Sequence, residues 1–282
     1  MPNKRNPILL LAICLSLVAG CRAQATVAPT QPASAIVPTQ PSASRTLTVF
    51  AAASLTEAFT ELGQQFEASH PGVKVVLNLA GSQALSAQLG EGAPADVCAS
   101  ANRKEMTNAT VAGRVAGGSQ KTFAHNKLVV IYPTDNPAGL AKLQDLAKFG
   151  LKLVLAAAEV PVGKYSLEFL DKASQDAAFG TTFKDDVLKN VVSYEDNVKS
   201  VLTKVVLGEA DAGIVYLTDI SLDNAGKVGR LDIPDALNAI ATYPIASVSD
   251  ATQPDLARAF VDLVLSDQGQ AILAKYGFLP AD

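Results

Sequence analysis

The chain is predicted to be α/β. Runs rich in β-branched residues alternate with stretches whose apolar residues recur at helical spacing, and glycine, proline and small polar residues punctuate the joints. Hydrophobic residues make up 49% of the chain, rich in Ala, Val and Leu. The 282 residues leave room for more than one core, since single cores stop growing at about 250–300 residues. A net charge of −4 and a pI of about 5.3 argue against a nucleic-acid partner.

The first 45 residues stand apart. Lys4 and Arg5 precede an apolar run at 8–18, which falls short of the 18 or more residues of a spanning helix and reads as a signal peptide over residues 1–20. Its end, Leu17-Val-Ala-Gly-Cys21, resembles the lipobox of bacterial lipoproteins. On that resemblance Cys21 becomes the lipidated first residue of the mature chain, tethered to a membrane without spanning it. Residues 21–45 are almost all Ala, Pro, Thr, Ser and Gln, including Pro29, Pro32, Pro38 and Pro41. With no apolar face, they read as a solvated linker of polyproline character. Cys14 falls in the signal, so Cys98 is left alone in an apolar stretch, a buried small hydrophobe.

The folded part opens with a strand at 46–50. Leu55, Ala58, Phe59, Leu62 and Phe66 then form the apolar face of a helix. Ser54 with Glu57 three residues on has the capping-box pattern, which places the helix start at Ser54. A helix N-terminus just past the carboxyl end of a strand offers unpaired N–H groups and about half a positive charge, which makes an anion site. A second strand at 73–79 ends in Ala80-Gly81-Ser82 and feeds a helix carrying Leu85 and Leu89, with Gly90 as its stop. Ser82 thus repeats the position of Ser54, as a cap whose hydroxyl faces the carboxyl end of a strand, where ligands sit in open α/β sheets. One such serine is more often only an N-cap. Two at equivalent points of successive β–α units point to a binding cleft.

The turn Gly92-Ala-Pro-Ala-Asp96 leads into a short strand. Further strands are expected at 127–132, 151–156, 191–192, 212–216 and 242–248, the last interrupted by Pro244. Helices are expected at 140–149, from a loop at 160–165 onward, and from 195 to about 207 with Asp196 or Asn197 as cap. Two more, at 255–265 and 268–276, finish the chain, with Gly277 closing the second.

Catalysis has little to work with. His70 lies in His-Pro-Gly at a helix end, and His125 precedes Asn126 just before a strand; neither has a placed partner. No Gly-x-Ser-x-Gly elbow occurs. Asp96, Glu195 and Asp196 are acids near the expected cleft edges but read better as caps or turn residues. The chain is therefore not expected to be an enzyme.

Four segments together resemble the molybdate-binding proteins of ABC importers: Phe50-Ala-Ala-Ala-Ser-Leu-Thr-Glu57, Gly92-Ala-Pro-Ala-Asp96, Gly213-Ile-Val-Tyr216, and Gly269-Gln-Ala-Ile-Leu-Ala-Lys-Tyr-Gly-Phe278. The resemblance runs from about residue 46 to residue 278. It implies a two-lobed periplasmic-binding-protein-like fold, two α/β lobes joined by a two-stranded hinge with the ligand in the cleft. Lobe one would hold 46–128 plus 246–282 and lobe two 129–245, with the crossings near 129–132 and 243–246. Carried over by position, the family's serine hydroxyls fall on Ser54 and Ser82, its main-chain contacts on Val162 and Val198, and its tyrosine hydroxyl on Tyr216. The Val162 loop reads Pro-Val-Gly where the family has Pro-Ala-Gly. Molybdenum would be held as molybdate through these five residues, with no direct metal ligand and no cofactor. Tungstate would also fit; another anion, such as sulfate or a small organic anion, is the alternative. The implied partner is an ABC importer permease. The chain would be a monomer, exported and lipid-anchored through Cys21 at the outer face of the cell membrane or in the periplasm.

None of the five contacts is Arg or Lys. Neutral donors at several helix N-termini would share the compensation of a dianion, because a hydrogen bond to an ionised acceptor is about twice as strong as a neutral one. A site of donors alone should also reject an anion that carries its own proton, since an unpaired buried O–H costs about 1–3 kcal/mol.

Overall fold

The computed structural model describes residues 44–220 and 224–281. The expected signal segment, Cys21 and the linker up to residue 43 lie outside the described residues.

Two sheets organise the chain. The first begins with β1 (Arg45–Ala52), β2 (Val73–Ala80), β3 (Val97–Ala99) and β4 (Lys121–Asn126). The second takes β5 (Leu128–Pro133), β6 (Leu153–Ala156), β7 (Val191–Glu195), β8 (Ala212–Tyr216) and β9 (Val228–Asp232). The chain then returns to the first sheet with β10 (Ala241–Ser247) and β11 (Leu279–Pro280). Strand order is β11-β4-β10-β3-β1-β2 in the first and β7-β6-β8-β5-β9 in the second. β1 pairs in parallel with β2 and β3, and β6 in parallel with β7 and β8; β10 and β5 run antiparallel to their neighbours. Parallel strands are joined by helical crossovers that cover the sheet faces. These are α1 (Thr56–Ser69), α2 (Ser82–Gly90), α3 (Arg103–Val111), α4 (Pro161–Gln175), α5 (Phe183–Leu188), α6 (Val198–Val206), α7 (Pro254–Leu265) and α8 (Asp267–Lys275). α1, α2, α3, α7 and α8 pack on the first sheet, and α4 and α6 on the second, with α5 against α4.

The crossings differ from those expected. The chain passes between the sheets at Lys127, between β4 and β5, and through residues 233–240, between β9 and β10. Tyr243 and Ala246, expected at the return crossing, lie inside β10 and belong to the ladder that joins it to β3 and β4. Val129 and Tyr132 likewise pair within the second sheet. The joints fall where ladder partners run out. The expected helix at 140–149 is only a 3-10 turn, Leu143–Ala147, pinned by the Asp145 carboxylate, which accepts the Ala141 and Lys142 N–H groups.

Behind the first sheet, α1 buries Phe59, Leu62 and Phe66. Phe59 meets Phe123 and Phe260 at ring-centroid distances of 5.8 and 5.9 Å, and Phe66 meets Phe260 at 5.4 Å. Such pairs add about 0.5–1.5 kcal/mol each beyond their burial. The aromatic chain continues to Tyr243, packed by Phe123, Phe278 and Tyr216 at 6.1, 5.4 and 6.0 Å. β10 slips register between Tyr243 and Pro244. An interior proline is tolerated at such a bulge, which re-aims the neighbouring side chain.

Candidate ligand-binding cleft

The five residues singled out in the sequence meet at one cavity. Ser54 lies in a 3-10 turn, Ala53–Leu55, that joins β1 to α1, and Ser82 is the first residue of α2 beyond β2. Val162 lies in the first turn of α4 beyond β6, Val198 opens α6 beyond β7, and Tyr216 ends β8. Each stands at the carboxyl end of a strand in a parallel pair, two from the first sheet and three from the second. Together with Gly81, Ala101 and Pro161 among others they line one pocket. None of the five is more than 3% exposed.

The hydroxyls are held differently from the capping expected of them. α1 starts at Thr56 with Leu55 as N-cap and no side-chain cap bond. The Ser54 Oγ instead lies 2.9 Å from the Tyr243 hydroxyl, and Glu57 is drawn off to Lys199. The capping-box pattern is present in the sequence but a buried tyrosine and a lysine outcompete it. Gly81, not Ser82, is the N-cap of α2, and the Ser82 Oγ accepts the Ala101 N–H at 3.0 Å. With that acceptor position filled, the Ser82 proton is left to donate. The Tyr216 hydroxyl is buried without a hydrogen-bond partner among the described residues. Burial first, and the neighbouring Tyr243 next, push its pKa well above the ordinary tyrosine value, so it stays a donor.

Main-chain donors complete the lining. α4 carries Pro161 at its first position, where the missing N–H costs nothing. The Lys164 N–H closes on the Val160 carbonyl, which leaves Val162 and Gly163 as the first-turn donors. Gly163 permits this tight approach: a Cβ there would collide with the carbonyls of Ala156 and Ala157 at the end of β6. At α6 the Asn197 side chain caps the Ser200 N–H at 3.0 Å, as expected of Asp196 or Asn197, and leaves the Val198 and Lys199 N–H groups.

No lysine, arginine, aspartate or glutamate side chain lines this pocket. The nearest cation in sequence, Lys199, is committed elsewhere. Its Nζ lies 2.9 Å from both Glu57 oxygens and 3.1 Å from Asp219. Burial alone would lower its pKa, but Asp219 and Glu57 outweigh burial and raise it. One further contact joins elements on the two sheets around the pocket. The Gln83 amide donates to the Asp196 carbonyl at 2.7 Å, and a Cβ on Gly81 would strike that same carbonyl.

The remaining candidates have structural work. Asp96 accepts the Thr48 and Gln253 N–H groups and the Thr252 hydroxyl. Glu195 pairs with Lys204 at 2.7 Å. His70 stacks on Phe66, and His125 lies on β4 beside Thr242. Cys98 is buried, and desolvation pushes its thiol up to about 12. No local sequence pattern marks Tyr243, Asn126, Glu57 and Lys199 as parts of the site. The nearest to a signal is Pro244 beside Tyr243, since a proline inside a strand marks a bulge and bulges re-aim side chains.

Comparison with known proteins agrees with this architecture. Residues 47–279 match the family model described as bacterial extracellular solute-binding protein. The molybdate-binding protein ModA of Mycobacterium tuberculosis is 39% identical over 235 residues, covering 83% of this chain and 85% of that protein. The solved periplasmic molybdate-binding protein of Azotobacter vinelandii superposes with a TM-score of 0.71 at 22% identity, over 84% of this chain and all of that one. The sulfate-binding protein SubI of Mycobacterium tuberculosis gives 0.74 at 21% identity, over 84% of this chain and 88% of that one. With two open α/β sheets meeting at a pocket and a family match over nearly all the described residues, the chain belongs to the bacterial extracellular solute-binding proteins.

Proposed function

We propose that the cleft binds a fully deprotonated tetrahedral oxyanion, molybdate or tungstate, and that the protein delivers it to an ABC import permease. One observation carries the reading: the pocket offers hydrogen-bond donors and no charged side chain. Ser54, Ser82 and Tyr216 supply hydroxyls, and Val162 and Val198 supply main-chain N–H groups at helix N-termini. A dianion drawn into this low-dielectric space gains several charge-assisted bonds at once, and no buried cation has to be desolvated with it. The 39% identity to a protein named for molybdate binding supports the choice of ion. Sulfate is the second reading, because a sulfate-binding protein shares the fold.

On this reading the chain binds and does not catalyse. It works as an exported monomer, held by lipid on Cys21 and a linker over residues 21–45. The two lobes divide between the sheets, and closure about the crossings at Lys127 and 233–240 shifts an equilibrium that exists without ligand. Calorimetry with molybdate, tungstate, sulfate and phosphate tests the assignment. Tight molybdate and tungstate binding with weaker sulfate and no phosphate is expected; sulfate or phosphate bound as tightly as molybdate would reject it.

A further inference from the structure

Behind Ser54 lies a short buried relay that lines no wall of the pocket. The Asn126 side-chain amide lies at the end of β4, next to the crossing at Lys127, and is fully buried. Its Oδ1 accepts the Lys127 N–H at 2.9 Å, which fixes which way the amide faces. The Nδ2 then donates to the Thr218 Oγ1 at 2.8 Å and to the Tyr243 hydroxyl at 3.3 Å. Tyr243, itself fully buried, has the Ser54 Oγ 2.9 Å away.

Donor counting gives the chain a direction. Asn126 can only donate at Nδ2, so the Tyr243 oxygen is an acceptor there. The Tyr243 proton then needs an acceptor of its own, and the Ser54 Oγ is the partner in place. If Ser54 donated to Tyr243 instead, the Tyr243 proton would be left buried and unpaired, because the neighbouring Tyr216 hydroxyl is not within hydrogen-bond reach. The Ser54 oxygen therefore accepts, and its own proton is pushed toward the cavity.

We propose that Asn126 and Tyr243 are positioning residues that hold Ser54 as an obligate donor and so make the cleft selective for oxyanions without a proton. This rests on the oxyanion reading above and goes further, by assigning selectivity to residues that do not touch the ligand. A ligand O–H facing Ser54 meets a hydroxyl that already accepts from Tyr243 and turns its proton to the cavity, so only one lone pair is left to receive it.

The test is calorimetry of the full chain and its Tyr243→Phe, Asn126→Asp and Ser54→Ala variants with molybdate and with inorganic phosphate at pH 7. Tyr243→Phe removes the bond donated to Ser54, so the hydroxyl can rotate and turn a lone pair to the cavity. Molybdate affinity should fall roughly 3- to 10-fold, the worth of one net hydrogen bond, while phosphate affinity rises, compressing the ratio by about tenfold or more. Asn126→Asp takes the Tyr243 proton and reverses the relay, so it should shift the ratio the same way. Ser54→Ala removes donor and acceptor together and should weaken molybdate with no gain in phosphate. Melting curves of the ligand-free variants identify any that fail to fold, and Asn126→Asp decides the matter if Tyr243→Phe does. A molybdate-to-phosphate ratio that stays within twofold of wild type in the folded variants overturns the relay. Wild-type protein that binds no oxyanion overturns the functional reading, and the relay with it.

Discussion

Lys199 in the first turn of α6 and Glu57 in the first turn of α1 join the two helices, with the ammonium 2.9 Å from both carboxylate oxygens. The same ammonium faces Asp219, which is fully buried and receives the Tyr216 N–H. One lysine thus serves two carboxylates of different kinds. Glu57, on the first-sheet side, is partly exposed, and Asp219 is part of the second-sheet body.

Glu57→Gln should loosen closure while leaving the fold intact. Ligand affinity is expected to fall about 3- to 10-fold through a larger open population, with folding stability changed by less than about 1 kcal/mol. Small-angle scattering should show a more open ligand-free ensemble. A melting temperature that drops as far as affinity does would show the pair to be structural only.

Lys199→Met should be far more damaging, because it leaves the Asp219 carboxylate buried without a cation, at a cost of about 3–5 kcal/mol. Burial already raises the Asp219 pKa, against the pull of Lys199, and removing the lysine raises it further. An acid whose folded pKa is raised is no burden while it is protonated, below its unfolded value, and costs stability as pH rises through the folded value. The variant's deficit in melting temperature should therefore be large at pH 8 and shrink toward pH 4. A deficit that is constant with pH would mean that Asp219 is not the cause.

Gly81→Ala should prop the cleft open. Gly81 has an ordinary φ of −59°, so alanine suits its backbone, but the new Cβ meets both the Asp196 carbonyl and the Gln83 amide that donates to it. The expected result is ligand-free melting close to wild type with affinity lowered about tenfold or more. Undiminished affinity in a titration would show that the contact yields easily.

Much of this was legible in the sequence because local rules and tertiary packing agree. The helix start at Val198 and the strand ending at Tyr216 follow from Asn197 and an apolar run, whereas residues 160–165, expected as a loop, already form the first turn of α4 from Pro161 onward. The hydroxyl partners were not legible. Ser54 and Glu57 have a capping-box spacing, yet their partners Tyr243 and Lys199 are 189 and 142 residues away, and no local pattern encodes such contacts. β4 and α3 were missed for another reason. β4 runs into β5 with only Lys127 between them, so two strands in different sheets look like one, and α3 has a weak apolar face around Met106 and Ala109. Its Asn102 cap, which accepts the Glu105 N–H at 2.8 Å, was the usable signal.

Tyr216→Phe should separate stability from function. The hydroxyl is a buried donor without a partner, so its removal is expected to raise the ligand-free melting temperature or leave it unchanged. Binding should weaken by about 1.5–3 kcal/mol, the worth of a bond to a charged acceptor. Because burial holds the Tyr216 pKa well above its usual value, wild-type affinity for molybdate should also stay flat from pH 7 to 10. A fall centred at or below pH 10 would show the hydroxyl ionising as if exposed.

The most direct measurement is a crystal structure of the molybdate complex. The account predicts oxyanion oxygens within hydrogen-bond reach of the Ser54, Ser82 and Tyr216 hydroxyls and of the Val162 and Val198 N–H groups, with no lysine or arginine side chain on the ion. A cation gripping the bound oxyanion, or an ion seated away from both serines, would contradict it.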